Sequence, residues 1–244
     1  MRAEVAPGMA DRTMGAIYLV RHGQASFSGA DYDDLSPLGH EQARVLGEAL
    51  GARGIRPDLV LSGRLRRHRQ TATACLGAMG LEPTWEEDAG WDEYDHNEVL
   101  GGVDPRFRNQ AAVAAELAQH ENPSRAFQAI FDRAMARWVD AAYHAEYAES
   151  WPAFCARIED ALARLHTGLG RSKSAIVFSS GGAISVVCRQ LLGLADLRTM
   201  SLSGSIANAS VTKLVVGGRG LTLSTLNEHV HFERPETKRL ITYR

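Results

Sequence analysis

The sequence predicts a three-layer α/β protein, in which helices cover both faces of a mostly parallel central sheet. Residues 17–20 read IYLV, an apolar run that is too short for a helix and rich in residues that favour a buried strand. Similar short runs at 58–62 and 175–179 alternate with amphipathic helical segments along the chain. Alternation of strand and helix is typical of a parallel sheet with helices on both faces.

The first half of the chain contains two predicted strand–helix units. After the strand at 17–20, Ser36 and Pro37 indicate a helix start, with serine at the cap and proline at the first helical position. The elements predicted next are a strand at 58–62, a helix at 65–79 that ends at Gly80, and a short strand with a loop at 82–91.

The second half is predicted to add helices before the sheet is completed. Apolar residues recur at helical spacing within 101–150, which predicts two helices there. The later predicted elements are a helix at 151–169, a strand at 175–179, a helix at 181–192, and closing strands at 205–216 and 221–226 joined by the turn GGRG at 217–220.

Length, charge and cysteine count narrow the class of protein. The 244 residues suit one α/β domain, with two small domains as the alternative, and the net charge of −2 gives no indication of nucleic acid or an anionic membrane as a partner. The three cysteines contain no C-x-x-C motif, which favours reduced thiols in a cytoplasmic protein. No apolar stretch is long enough to span a bilayer, and the first residues do not resemble a signal peptide.

The candidate chemistry begins where the first strand ends. Arg21 and His22 follow the apolar run directly, at the carboxyl end of a buried strand, which is where open α/β sheets place ligands. A strand that simply leads into a solvated basic turn, with a hydrogen-bonded histidine at its end, is the alternative interpretation.

Two ordered motifs carry a resemblance to a known family. The first is LVRHGQ followed by LSPLGHEQA, and the second is LVLSGRLRRHRQTATA at 59–74. Together they resemble the histidine phosphatase superfamily, also called the phosphoglycerate-mutase-like family. The resemblance implies the three-layer fold and assigns residues 101–150 to a variable helical insertion. We accordingly interpret residues 1–14 as a flexible tail and residues 15–244 as a single domain.

The resemblance also implies a division of roles among the site residues. His22 would be the nucleophile that forms a phosphohistidine, while Arg21 and Arg67 would bind the phosphate oxygens, because a guanidinium fork matches them and stays charged. A glutamate in the region of Glu93 would exchange a proton with the leaving group. The neighbouring carboxyls of Asp92 and Asp95 stay open as alternatives, as does an acidic surface turn.

The chain departs from the family pattern at residue 180. Family members commonly have Ser-His-Gly-Gly there, whereas this chain reads FSSGG, which places Ser180 where the histidine is expected. A hydroxyl and the helix N-terminus still offer hydrogen-bond donors, but a cationic donor is lost. His96 is a candidate replacement for that cation. The rest of the basic run at 64–69, His68 included, is interpreted as a solvated helix face.

These residues predict a phosphomonoester hydrolase that needs no metal or organic cofactor. Its partner would be a small phosphorylated substrate or phosphate, with a homodimer as an open option. The alternatives are a weak or inactive family member that binds a phosphorylated ligand or protein, and a phosphoglycerate mutase. The residues expected to contact substrate besides the catalytic set are Gly23, Gln24, Ser28, Gly181 and His96.

Overall fold

The computed structural model of the chain describes residues 14–26, 33–170 and 172–243. Within these ranges the strands form one six-stranded sheet. The strands are β1 (Gly15–Arg21), β2 (Leu59–Ser62), β3 (Glu86–Glu87), β4 (Ser174–Ser179), β5 (Val211–Gly217) and β6 (Gly220–Glu228). Their order across the sheet is β3-β2-β4-β1-β5-β6. The first four strands run parallel, and the last two are added antiparallel at one edge.

The helices lie between the strands in the order that the sequence predicted, with two additions, at 96–101 and 196–205. They are α1 (Pro37–Ala52), α2 (Arg66–Ala78), α3 (His96–Gly101), α4 (Gln110–Leu117), α5 (Pro123–Val139), α6 (Trp151–Leu169), α7 (Gly181–Leu192) and α8 (Asp196–Ser205). Helices α4 and α5 are the two that were predicted within 101–150. Short 3₁₀ turns connect several of these elements.

The three-layer prediction is confirmed by the way β1 divides its side chains between two cores. Ile17 and Leu19 pack into a core with residues of α5, α6 and α7, such as Trp138, Phe154 and Ile184. The alternate residues Tyr18 and Val20 pack into a second core with residues of α1 and α2, such as Leu46, Leu50 and Cys75. Successive side chains of a strand point to opposite faces, so an apolar run without polar interruptions requires helices on both sides.

The position of β1 in the middle of the sheet determines where a site can form. It pairs in parallel with β4, with Arg21 opposite Ser179, and the amide of His22 donates to the carbonyl oxygen of Ser179 over 2.9 Å. Because β2 also runs parallel to β4, the carboxyl ends of these three strands meet at one edge of the sheet. The segments that follow them are therefore brought together.

The closing strand was predicted to begin too early. Residues 196–205 form helix α8, and β5 begins only at Val211. The helix was missed because its serines and glycine interrupt any apolar stripe, and only Thr199 of its residues is buried. The segment between α8 and β5 turns beneath the end of β1, where Ala209 has a φ of 52° and its amide donates to the carbonyl oxygen of Arg21.

The cysteines and the helices can be compared with what the composition indicated. Cys75, Cys155 and Cys188 are all buried free thiols, as predicted from their number and spacing. None of the helices in the described part of the chain combines the length and apolar content that crossing a membrane requires.

The start of α1 provides a test of the local structure. The Ser36 hydroxyl accepts a hydrogen bond from the Gly39 amide over 3.1 Å and donates to the Gln24 side-chain oxygen over 3.0 Å. We expect Ser36→Ala to lower the free energy of unfolding by about 1 kcal/mol, because a helix N-cap is lost. Urea denaturation measures this. Ser201→Ala on the exposed part of α8 is the control and should change it by less than about 0.5 kcal/mol; equal effects would contradict the capping role.

Candidate active site

Four polar side chains are buried together where the parallel strands end. Arg21 is the last residue of β1, His22 follows it, Arg67 lies in the first turn of α2, and Ser180 precedes α7. Their exposed fractions are 9%, 6%, 5% and 1% respectively. Charged side chains are rarely buried to this extent unless they are paired or bind a ligand.

His22 is held as one neutral tautomer. Its Nδ1 lies 2.6 Å from the carbonyl oxygen of Gly23, and since a carbonyl oxygen can only accept, Nδ1 must carry the proton and donate. The lone pair of the neutral ring is then at Nε2. The main-chain oxygen of His22 accepts hydrogen bonds from the Asn208 side chain and the Ala209 amide, which fixes the residue from the other side.

The surroundings keep the His22 ring unprotonated. Burial is the largest cause that holds the pKa of His22 well below its ordinary value of 6.5, and the positive charges of Arg67 and Arg21 lower it further. Both guanidinium groups must lie near the ring to have this effect. The ring is therefore neutral at pH 7 and faces two buried cations.

The loop after His22 is shaped by close packing against α1. A Cβ atom on Gly23 would overlap the carbonyl oxygen of Gly39, and the Gly23 amide donates to the Thr71 hydroxyl over 3.0 Å. The Gln24 side chain accepts from the Ser36 hydroxyl at the cap of α1. These contacts position the loop, and the substrate contacts expected of Gly23 and Gln24 stay predictions. Ser28 lies outside the described residues.

Each guanidinium group already has an oxygen partner. Arg67 Nη1 donates to Asp33 Oδ1 over 2.7 Å, and the other oxygen of Asp33 accepts from the Arg66 amide over 2.7 Å. Arg21 Nη1 donates to the carbonyl oxygen of Ile206. An anion that binds between the two arginines must therefore displace the Asp33 carboxylate from Arg67, or share the Arg67 guanidinium with it.

Glu93 is buried against the start of α7. Its Oε2 accepts from the Gly182 amide over 2.9 Å, and its Oε1 accepts from the Tyr94 amide over 3.3 Å. Burial raises the pKa of Glu93 above its ordinary value of 4.5, while the Gly182 hydrogen bond and the charges of Arg67 and Arg21 oppose this. The carboxyl thus lies near both arginines, in surroundings that favour its protonated form.

The neighbouring carboxyls are occupied elsewhere. Asp92 forms an ion pair with Arg64 at 2.9 Å, and Asp95 caps α3 by accepting from the Asn97 amide over 2.9 Å. Glu93 is thereby favoured over both of the alternatives that the sequence left open.

One of the two glycine amides at the start of α7 is engaged within the protein. The Gly182 amide donates to Glu93, and a Cβ atom on this residue would overlap Oε1 of that carboxyl. Glycine at 182 thus leaves the space in which the Glu93 carboxyl lies. A substrate contact by Gly181 stays a prediction.

His68 is the site residue that the sequence interpretation missed. Far from being solvated, it is fully buried, its Nε2 lies 2.6 Å from Ser180 Oγ, and its ring centroid is 5.7 Å from that of His22. A signal was present in the sequence. Ala72, Cys75 and Leu76 form the inward face of α2, and residue 68 lies four, seven and eight positions before them, on that same face.

His96 does not supply the expected cation. It is the first residue of α3, and burial, followed by the charge of Arg67, lowers its pKa from 6.5 to about 4. Asp95 and Asp33 oppose this shift without reversing it. The lowered pKa argues against a cationic role for His96, and its contact with substrate stays a prediction.

The arrangement as a whole is suited to a tetrahedral oxyanion. It combines an unprotonated imidazole nitrogen, two buried guanidinium groups, the N-terminus of α7 and a carboxyl with a raised pKa. Within the described ranges, no group of three or more His, Cys, Asp or Glu side chains is placed to hold a metal ion.

Comparison with known proteins gives one family match and several relatives. The model of the histidine phosphatase superfamily (branch 1) matches residues 17–110 and 102–229. A 2,3-bisphosphoglycerate-dependent phosphoglycerate mutase of Chelativorans sp. (strain BNC1) is 38% identical over 95 residues, which are 36% of this chain and 46% of that protein. A broad-specificity phosphatase of Saccharomyces cerevisiae is 36% identical over 72 residues, 27% of this chain and 31% of that protein. The match thus spans less than half the length of either relative.

A solved structure extends the likeness over most of the fold. Mycobacterial glucosyl-3-phosphoglycerate phosphatase, solved with inorganic phosphate, superposes with a TM-score of 0.59 at 24% identity. The superposition covers 88% of this chain and 98% of that one. At this identity the likeness concerns the fold.

The pairing of Asp33 with Arg67 leads to a prediction about anion affinity. We expect Asp33→Asn to tighten the binding of inorganic phosphate roughly three- to tenfold, on the order of 1 kcal/mol, because a competing carboxylate is removed from the arginine. Isothermal titration calorimetry measures this. Asp34→Asn, one position along and paired with Arg66 instead, is the matched control and should bind phosphate as the unmodified chain does. Unchanged or weaker binding by Asp33→Asn would contradict the competition.

Proposed function

Since the chain belongs to the histidine phosphatase superfamily, we propose that it hydrolyses phosphomonoesters through a phosphohistidine formed at His22. One observation carries the proposal: the His22 proton is on Nδ1, which leaves Nε2 as a neutral nucleophile beside two buried guanidinium groups. A neutral imidazole is reactive near pH 7, and arginine binds phosphate oxygens through its paired N–H groups.

In the first step, the Nε2 lone pair of His22 forms a bond to phosphorus while the bond from phosphorus to the ester oxygen breaks. Arg21 and Arg67 hold the non-bridging oxygens and balance the charge that the transferring group exposes. The leaving oxygen keeps the electron pair of the broken bond and takes the proton of Glu93. The raised pKa of Glu93 supports this role, since a general acid must still be protonated when the substrate arrives.

In the second step, water attacks the phosphorus of the phosphohistidine. The Glu93 carboxylate accepts a proton from that water, the phosphorus–nitrogen bond breaks, and its electron pair returns to Nε2. Inorganic phosphate leaves, and the imidazole and the carboxylic acid are restored. No further reactant is required.

We further propose that Ser180 stands at the position of the second family histidine and donates to a phosphoryl oxygen. Exchanging a charge-assisted hydrogen bond for a neutral one costs about 1–2 kcal/mol, or roughly tenfold in rate. A reduced but real turnover is therefore expected. If the loss of rate is much larger, the protein is a family member that binds a phosphorylated ligand and scarcely turns it over.

Phosphoglycerate mutase is the second candidate, and the 38% identity to such an enzyme favours it. A mutase must hold and reorient a phosphorylated intermediate, whereas a hydrolase releases phosphate to water. Conversion of 3-phosphoglycerate to 2-phosphoglycerate, compared with phosphate release from the same compound, separates the two candidates.

Several accompanying expectations stay predictions. They are the cytoplasmic location, the homodimer, the absence of nucleic-acid and membrane partners, and the division into a tail at 1–14 and a domain at 15–244 with an insertion at 101–150.

Loss of the nucleophile is the direct test. We expect His22→Ala to lower kcat on a panel of small phosphomonoesters by roughly 10³-fold or more, because no covalent intermediate can form. His40→Ala, an exposed histidine of α1, is the control and should leave turnover unchanged. Phosphate release by His22→Ala at the rate of the unmodified chain would refute the nucleophile. If the unmodified chain binds inorganic phosphate but hydrolyses none of the phosphomonoesters, the alternative of an inactive, ligand-binding family member is favoured.

The pH dependence tests the roles of His22 and Glu93 together. Attack needs a neutral His22, whose lowered pKa keeps it neutral below pH 6.5, and leaving-group protonation needs a neutral Glu93, whose raised pKa keeps it protonated above pH 4.5. We expect kcat/KM to fall at low pH as His22 is protonated and at higher pH as Glu93 ionises.

The Glu93→Gln variant should remove the high-pH fall and lower kcat/KM on alkyl phosphates by about 10²- to 10⁴-fold. p-Nitrophenyl phosphate should lose much less, because its leaving group needs little help from an acid. An equal loss on both esters would contradict the role of Glu93.

A further inference from the structure

His68 is a fully buried polar side chain that the steps above do not use. It has no solvent exposure, and it lies on α2 next to Arg67. Its Nε2 is 2.6 Å from Ser180 Oγ, whereas its Nδ1 has no hydrogen-bond partner within the described part of the chain. A buried imidazole with one partnered and one orphaned nitrogen requires an explanation.

The orphaned nitrogen indicates where the proton of His68 is. A Cβ atom on Gly63 would overlap Nδ1, so the backbone of Gly63 closes over this side of the ring. A proton on Nδ1 would be a buried N–H without an acceptor, which is rarer in proteins than a buried acceptor without a donor. The proton is therefore on Nε2, and His68 donates to Ser180 Oγ.

Because Ser180 Oγ accepts the hydrogen bond from His68, the hydroxyl proton of Ser180 is available for donation to a ligand. Among the described residues, the only hydrogen bond of Ser180 Oγ is the one with His68. The serine side chain does not cap α7, although it occupies the cap position. Its proton has no acceptor among the residues that the structure describes, and the residue precedes α7, at the edge where His22 also lies.

We propose that His68 and Ser180 act as a donor pair, in which His68 positions and polarises the Ser180 hydroxyl so that it donates to a phosphoryl oxygen. This inference rests on the proposed function and names how that site compensates for a serine at position 180. An imidazole is retained, but it reaches the site from the first turn of α2 and acts through the serine. His68 is thus a positioning residue, and Ser180 is the group that contacts substrate.

The charge state of His68 agrees with this arrangement. Burial, followed by the charge of Arg67, holds the pKa of His68 well below 6.5. The ring is neutral and can donate through one nitrogen only, so the pair delivers a single, fixed donor. A further cation, in addition to Arg67 and Arg21, would be costly in so buried a site.

The two positions must also exclude one another sterically. Ser180 is 1% exposed and His68 is not exposed at all, so a histidine at 180 would need the space that the His68 ring fills. An imidazole can therefore stand at 180 only if the one at 68 is removed. This gives the inference a test that a merely structural role for His68 would not pass.

The experiment compares single and double variants in full-length protein. We expect His68→Ala and Ser180→Ala each to lower kcat/KM roughly tenfold, and the double variant to lose no more than either single one, because both remove the same donor. We expect Ser180→His alone to be worse than Ser180→Ala. His68→Ala combined with Ser180→His should recover activity to at least the original level. Losses that multiply in the double alanine variant, or no recovery in the exchanged pair, would overturn the inference.

Conservative replacements of His68 separate positioning from packing. His68→Gln keeps an N–H donor that reaches toward Ser180 and should stay within a few-fold of the original kcat/KM. His68→Leu fills similar space without a donor and should match His68→Ala. Thermal unfolding of every variant identifies any that fail to fold. Equal activity of the glutamine and leucine variants would assign His68 to packing alone and contradict the pair.

Two readouts that need no turnover keep this inference separate from the proposed function. The first is the dissociation constant of orthovanadate, which should show the same pattern of losses and recovery across the variants. The second is ¹⁵N NMR of the His68 ring, in which Nε2 should be the protonated nitrogen. If phosphomonoesters are not hydrolysed but vanadate follows the pattern, the proposed function fails and the pair stands. The pair would be refuted by a proton on Nδ1 of His68. It would also be refuted if turnover depends on His22 but the His68 and Ser180 variants do not show the expected losses and recovery.

Discussion

The parallel pairing of β1 with β4 is the constraint on which the site depends. It places Arg21 opposite Ser179 and lets the His22 amide bond to the end of β4, so that His22 and Ser180 leave the sheet side by side. Neither residue is near the other in the chain. Helices cover both faces of the sheet, so the loops at this edge are where polar groups can meet a ligand.

Burial then separates the pKa values of the groups that meet there. Desolvation disfavours every charged form, which lowers the pKa of His22 and raises that of Glu93. The arginines act on both groups in the same direction, toward lower pKa, and so strengthen the effect on the histidine and weaken it on the carboxyl. The result is a neutral imidazole and a carboxyl with a raised pKa in one pocket.

Close backbone packing is what fits these groups into so small a space. Because Gly23 has no side chain, α1 can pack closely against the loop that carries His22. Because Gly182 has none, the Glu93 carboxyl can lie against the start of α7. The Asp33 carboxylate pairs with Arg67, which satisfies a buried guanidinium that would otherwise be costly.

Most of the helices and strands, and the residues at their ends, could be predicted from local patterns in the sequence. The apolar run before Arg21, the cap at Ser36 and the helical spacing within 151–169 are local patterns, and local patterns specify local structure. Helix α8 could not be predicted in this way because it has no apolar stripe. It is stabilised by tertiary contacts instead. The burial of Glu93, rather than Asp92 or Asp95, beside the arginines becomes apparent only from the folded chain. The same is true of the contact between His68 and Ser180. Those outcomes depend on which surfaces pack together, and residues distant in the chain reveal that only once the fold has brought them into contact.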